Sequence, residues 1–298
     1  MTPRRVFLAS LLWASVAPSA RALMIKADVT RIAAVDRAAT ETLLALGIRP
    51  VAVAAPDVYA VMKGYPPLPD GIANVGYSVE PNLEVMLSLG VQLTVMEAMS
   101  LNNWETLARI APVFVLNIFT GGGQGDFVEV ARSETFRLAR ALGREDVAAR
   151  YWQDLQQKIA TIRQGLSAYA KRPIFIAQFG FGAGSVLLYG KHCVTFDVMR
   201  QLGFENASIG SGNPYGTSLV GLDQLSTFPA ADICYIDDGV QTQAAMAALA
   251  QSPVWRNLPM VRAGRVYPIA QFDPIGALPT ALQFAENFDA AIRARGPQ

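Results

Sequence analysis

A unit of rim loop, helix and buried strand occurs twice in this chain, and that recurrence limits the fold more than any other feature. The first copy lies in residues 66–96, PPLPDGIANVGYSVEPNLEVMLSLGVQLTVM. A proline-rich turn leads through Gly76-Tyr77-Ser78-Val79 into Glu80-Pro81-Asn82-Leu83-Glu84. Asn82 suits a helix N-cap, and Leu83, Met86, Leu87 and Leu89 give the helix an apolar face. Residues 91–96 then form a short apolar run, as expected of a parallel strand covered on both faces. That order sets the loop at the rim of an α/β sheet, where such sheets bind ligands. The second copy, residues 220–236, reads VGLDQLSTFPAADICYI, with Leu222 and Leu225 beside Asp223 and an apolar strand ending in Tyr235-Ile236. Glu84 and Asp223 occupy matching places. A repeat spaced by roughly half the chain predicts two similar α/β lobes, not a solenoid with a period of about 20–50 residues.

The length of 298 residues is enough for two such lobes, and 52% hydrophobic with 16% charged residues describes a packed globule. A net charge of +1, with no basic stripe, gives no reason to expect nucleic acid. The beginning reads as an address: Arg4-Arg5 precedes an apolar stretch over residues 7–16, and Ala20-Arg21-Ala22 offers small residues for cleavage. The stretch is shorter than the ~20 residues of a membrane span. Residues 1–22 are therefore expected to be a twin-arginine signal peptide cleaved after Ala22. Their removal takes away Arg4, Arg5 and Arg21 and leaves a slightly acidic periplasmic protein. No cysteine stands near Ala22 to carry a lipid. Cys193 and Cys234 are the two cysteines and His192 the one histidine, too few for the three or four clustered ligands of a zinc site. Cys234 lies inside an apolar strand, where a buried thiol and a disulfide are both compatible with an exported protein.

Between the two copies, residues 126–171 contain no proline and are rich in Ala, Leu, Arg, Gln and Glu. Val147, Tyr151, Leu155, Ile159 and Ile162 recur at helical spacing, so a helix over residues 145–167 would run about 35 Å, long enough to link two lobes. The expected organisation is a lobe over 23–125, a linking segment over 126–171 and a lobe over 172–298. Within the first lobe, residues 31–35 and 48–54 read as strands, 36–38 as a loop, 40–46 as a helix closed by Gly47, and 56–71 as an irregular proline-rich loop. In the second, Gly180, Gly182 and Gly184 read as a turn between strands, lacking the lysine of a phosphate loop. Residues 213–218 read as the rim loop that mirrors 76–79, residues 271–276 as a last rim loop, and 278–293 as a closing helix.

Leu43-Leu-Ala-Leu-Gly-Ile48, Pro66-Pro-Leu-Pro-Asp70, Glu80-Pro-Asn-Leu-Glu84, Leu107-Ala-Arg-Ile-Ala-Pro112 and Val261-Arg-Ala-Gly-Arg265 together resemble the periplasmic ferric-siderophore binding proteins of ABC importers, most of all the ferric-hydroxamate binders. The resemblance extends from about Arg31 to the end of the chain. It implies two α/β lobes joined by a long backbone helix (a class III periplasmic binding protein of the helical-backbone metal-receptor type), a shallow cleft and little hinge motion. It also implies capture of a ferric siderophore without bond chemistry, followed by delivery to an inner-membrane permease whose arginines receive one acid from each lobe, here Glu84 and Asp223. No cofactor is implied beyond the iron carried in the ligand, and a monomer is expected.

The ligand positions depart from the hydroxamate pattern. Ser78 stands in place of an arginine, Ser100 of a tyrosine and Met62 of a tryptophan, while Tyr215 and Thr217 replace Trp and Ser. Asp273 and Ile275 stand where the last rim loop has Trp and Tyr, and Arg37 takes a position that is aromatic in the family. Tyr77, Tyr215, Phe272 and Met62 are the candidate walls for the ligand. Ser78, Ser100 and Thr217 are candidate hydrogen-bond donors, and Arg37 a cation for anionic oxygens, which points to hydroxamate or to mixed citrate and carboxylate siderophores. A haem or corrinoid carrier of the same importer class is the alternative. An exported hydrolase is disfavoured because no Gly-x-Ser-x-Gly elbow is present.

Overall fold

A computed structural model describes residues 29–119, 126–169, 171–182, 184–210, 212–213 and 215–296; the expected signal peptide, 1–22, lies outside them. The N-terminal lobe runs β1 (Ile32–Ala34), α1 (Arg37–Ala45), β2 (Ala52–Val53), α2 (Pro56–Val61), β3 (Ala73–Asn74), a small hairpin of β4 (Gly76–Tyr77) and β5 (Glu80–Pro81), α3 (Leu83–Ser88), β6 (Leu93–Glu97), a 3-10 segment Ala98–Asn103, α4 (Trp104–Ala108) and β7 (Val113–Leu116). Two helices, α5 (Phe127–Ala141) and α6 (Glu145–Gly165), lead to the second lobe. There follow β8 (Ile174–Gln178), β9 (Ser185–Tyr189), α7 (Val194–Leu202), β10 (Thr217–Gly221), a 3-10 segment Leu222–Thr227, β11 (Asp232–Asp237), α8 (Val240–Ala250), α9 (Pro253–Asn257), α10 (Pro259–Arg262), β12 (Val266–Ala270) and α11 (Leu278–Arg295).

The sheets have matching orders, β3-β2-β1-β6-β7 and β10-β9-β8-β11-β12. The predicted repeat is therefore real at the level of topology, since β6 and β11, which follow Glu84 and Asp223, hold the fourth place in each. Strand direction differs. The first sheet is parallel throughout, whereas β9 runs antiparallel to both β8 and β10. Even so, both edge strands, β3 and β10, run parallel to the first strand of their lobe, and the expected mirroring of 76–79 by 213–218 fails on position. The first loop follows the end of its edge strand and the second precedes the start of β10. Two local expectations also change. Pro56 at the first helical position favours α2 where an irregular loop was expected. Asp36 caps α1 through Ala39 N–H, so that helix begins at Arg37 rather than at residue 40.

Each lobe's first strand alternates between two interiors. Ala33 and Val35 face an outer core with Met86, Met96 and Leu107, while Ile32 and Ala34 face a core common to both lobes. In the second lobe Phe175 and Ala177 face their own outer core, and Ile174 and Ile176 the common one. Leu43, Leu93, Leu116, Leu155, Ile159, Val198, Phe284 and Phe288 belong to this common core, so it passes from one lobe through α6 and α11 into the other. Along its 21 residues, about 32 Å, α6 buries Ala148, Leu155 and Ile159. Phe288 lies 5.2 Å from Phe204 and 5.6 Å from Phe284, ring centre to ring centre.

A lobe rotation would expose that shared surface, so the two lobes should unfold together. Phe288→Ala, at a fully buried site, should cost about 3–5 kcal/mol. Urea unfolding followed by fluorescence and by circular dichroism should give one coincident transition in both chains. Two resolved transitions would contradict the shared core.

Candidate functional site

The order of strands reverses between β1 and β6, the point at which an α/β sheet opens a crevice beyond its C-terminal strand ends. An acid follows or ends each of these strands. Asp36, just past β1, accepts from the N–H groups of Ala39 and Glu97, at 2.9 and 2.5 Å. Glu97, the last residue of β6, accepts from Met99 N–H at 2.6 Å and Phe119 N–H at 2.8 Å. One carboxylate thus ties the 3-10 rim segment to the end of β7. Burial pushes the Asp36 carboxyl up to about 6 and that of Glu97 up to about 7, against the opposing pull of these backbone donors. Ser100, expected to face a ligand, instead hydrogen-bonds the Asp36 side chain and holds the rim segment to the strand ends.

Arg37 and Asp273, far apart in sequence, meet between the lobes: Arg37 Nε stands 2.8 Å from Asp273 Oδ2. The guanidinium also lies 3.9 Å from Glu41 Oε1 and 5.3 Å from the centre of the Tyr59 ring. Asp273 Oδ1 accepts from Ile275 N–H, which shapes the last rim loop. The role foreseen for Arg37, a cation open to anionic ligand oxygens, is thus corrected, because its charge is already matched by carboxylates. Phe272 is corrected too. It is 1% exposed and packs 5.2 Å from Phe284, so it belongs to the core and not to a cleft wall.

Other predicted wall residues stand at the surface. Tyr77 is 61% exposed in the β4–β5 hairpin, with half-buried Ser78 beside it. The hairpin requires Gly76, at φ +81°, whose N–H donates to the Asn74 side chain. Met62 is half-buried where α2 ends. Tyr215 is half-buried and lies 6.5 Å from Phe119, an aromatic contact between loops of the two lobes. Asn213 Oδ1 accepts from the N–H groups of both Tyr215 and Thr217 and fixes that loop. Glu84 and Asp223 are exposed, each in the second position of its helical segment after Asn82 or Gly221.

Phe119, Glu97 and Glu41 were not foreseen as site residues. An acid directly after a buried strand was the available signal for Glu97, as for Asp36. Glu41, fully buried, was concealed in a short helix. His192 is exposed at φ 71° in a turn, and Cys193 and Cys234 are free and buried. Among the described residues no three His, Cys, Asp or Glu side chains are grouped to hold a metal, and no helix is long and apolar enough to cross a membrane. Grooves of about 620 and 630 Å³ lie between α6 and α11 and beside α8, and none of the predicted ligand residues lines either one.

The family model described as periplasmic binding protein matches residues 32–271. The iron(3+)-hydroxamate-binding protein FhuD of Escherichia coli (strain K12) is 30% identical over 286 residues, 96% of this chain and 93% of that protein. The Fe(3+)-citrate-binding protein YfmC of Bacillus subtilis (strain 168) is 28% identical, covering 74% of this chain and 67% of its own. Among solved structures, the Fe3+–Desferal-bound siderophore binding protein FhuD of Vibrio cholerae superposes with a TM-score of 0.82 at 24% identity, over 90% of this chain and all of that one.

The raised carboxyls fix the sign of a pH effect. A carboxyl with a folded-state value near 7 and an ordinary unfolded value contributes stability that is present below about 4.5 and lost as pH rises through about 7. Relative to Glu97→Gln, the native chain should therefore gain stability as pH falls from 8 to 5, by at most ~1.4 kcal/mol per pH unit. Thermal melts of the two chains across that range check it; a constant difference would refute it.

Proposed function

The chain belongs to the periplasmic binding protein family, and on that premise we propose that it captures a ferric siderophore outside the cytoplasmic membrane and delivers it to an ABC permease for iron uptake. The observation that carries this reading is the likeness, sustained over nearly the whole chain, to an iron(3+)-hydroxamate-binding protein. The protein's work is binding and docking, without bond chemistry, and the iron is cargo held by the siderophore. Residues 1–22 act as an export signal cleaved after Ala22, 23–125 and 172–298 form the lobes, 126–171 links them, and the mature protein acts as a monomer.

Tyr77, Tyr215 and Met62 supply apolar surface to the ligand, and Ser78 and Thr217 polar contacts, with Ser100 supporting the rim from below. The pairing of Arg37 with Asp273 favours a hydroxamate ligand over one bearing free carboxylates, which would have to compete with Asp273 for the guanidinium. Glu84 and Asp223, exposed at equivalent places on the two lobes, make the contacts to permease arginines.

Fluorescence of residues 23–298 should be quenched saturably by ferric trihydroxamates, read through Trp104, which is 44% exposed where the 3-10 rim segment ends. Ferric citrate-type complexes, haemin and cobalamin should bind more weakly; preferential quenching by haemin or cobalamin would keep the fold and overturn the ligand. Glu84→Ala and Asp223→Ala should each leave that affinity unchanged and lower permease-dependent iron uptake about tenfold, the effect of a lost interfacial charge pair. Native uptake in the double variant would remove the docking role.

A further inference from the structure

Glu41 lies in α1 of the N-terminal lobe and is fully buried, yet the hydrogen bonds to its carboxylate come from the far end of the chain. Ala277 N–H donates to Oε2 at 2.9 Å, and Thr280 Oγ1 approaches both carboxylate oxygens, at 2.8 and 3.0 Å. Ala277 is the N-cap of the 18-residue α11 and has no side chain with which to cap it. The carboxylate of Glu41 supplies that cap from the opposite lobe, at the positive end of the helix dipole. The fit is close: a Cβ at Gly276 would lie 2.6 Å from Glu41 Oε2 and 1.8 Å from Thr280 Oγ1. The Arg37–Asp273 pair crosses the same boundary, and Gln283, further along α11, donates to the Lys63 carbonyl at 2.7 Å.

We propose that Glu41 is a positioning residue: by capping α11 across the lobe boundary it fixes the separation of the two rims, and with it the width of the cleft and the spacing of Glu84 and Asp223. The shared apolar core holds the lobes together but is non-directional, and it tolerates small sliding. A buried carboxylate with donors on the other lobe does not, since displacement leaves a charge and a helix N-terminus without partners. The effect on rim separation stands on this geometry alone, and the consequence for ligand release rests on the proposed function.

Spin labels at Ser88→Cys and Gln224→Cys, exposed positions on the two lobes, report the separation by pulsed electron resonance. Cys193 and Cys234 are buried and escape labelling. Glu41→Gln, Thr280→Val and Gly276→Ala should each shift or broaden the distance distribution of the folded protein. Thr135→Val, which removes an equally buried hydroxyl bonded only within α5, to the Ala131 carbonyl, should leave it native. Dissociation of a ferric trihydroxamate should be about tenfold faster in Glu41→Gln, with little change in the association rate. A native distribution in Thr280→Val and Gly276→Ala, or equal broadening in Thr135→Val, overturns the proposal. The distance measurement needs no ligand, so it decides the point even where the native chain binds none of the iron complexes.

Discussion

The two lobes share one interior, and most of the structure follows from that. A binding protein with separate cores can close around its ligand by rotating about a linker. Here Leu43 and Leu93 on one side and Ile176, Val198 and Phe288 on the other are parts of the same apolar cluster. Opening it would return buried surface to water at about 25 cal/mol per Å². The relative position of the lobes is therefore tied to the integrity of that cluster.

Polar groups are then placed where that interior reaches the rim. Asp36, Glu41 and Glu97 are buried carboxylates, and burial raises all three toward neutrality, yet each is surrounded by donors. Their partners explain the expense. Glu97 fixes the 3-10 rim segment and the start of the Phe119 loop, Asp36 joins β1 to β6, and Glu41 reaches across to α11. Directional bonds of this kind define loop positions that apolar packing alone would leave soft. The same reasoning accounts for Ser100, whose hydroxyl supports the scaffold of the site.

Local patterns were legible in the chain, and long-range partners were not. The repeated helix and strand around Glu84 and Asp223 could be read because spacing and capping act within a few residues. The linking helix was readable because a proline-free, amphipathic stretch of that length has few alternatives. The glycine turn between β8 and β9 was legible in the same way, whereas the side of its edge strand on which a rim loop falls leaves no local mark, so 213–218, which precedes β10, reads as the counterpart of 76–79, which follows β3. Pro56 reads as a loop signal, although the first turn of a helix accepts proline equally well. Phe272 shows the limit most plainly. An aromatic residue in a rim segment reads as a ligand wall, and only the neighbouring Phe284 reveals it as core.

The junction of the lobes holds a charged pair as well as an apolar core. In sequence Arg37 and Asp273 are two unconnected charges far apart in the chain. In space they form one ion pair, 2.8 Å long, between the two lobes. Asp273 adds a second carboxylate near buried Glu41, and Arg37 offsets this by lying close to Glu41 while its Nε takes Asp273 as partner. In the structure the one guanidinium lies between the two carboxylates and places a charged pair at the junction of the lobes. Away from that charged junction, aromatic surface stands at the rims in exposed Tyr77 of the β4–β5 hairpin and half-buried Tyr215 of the Asn213-anchored loop.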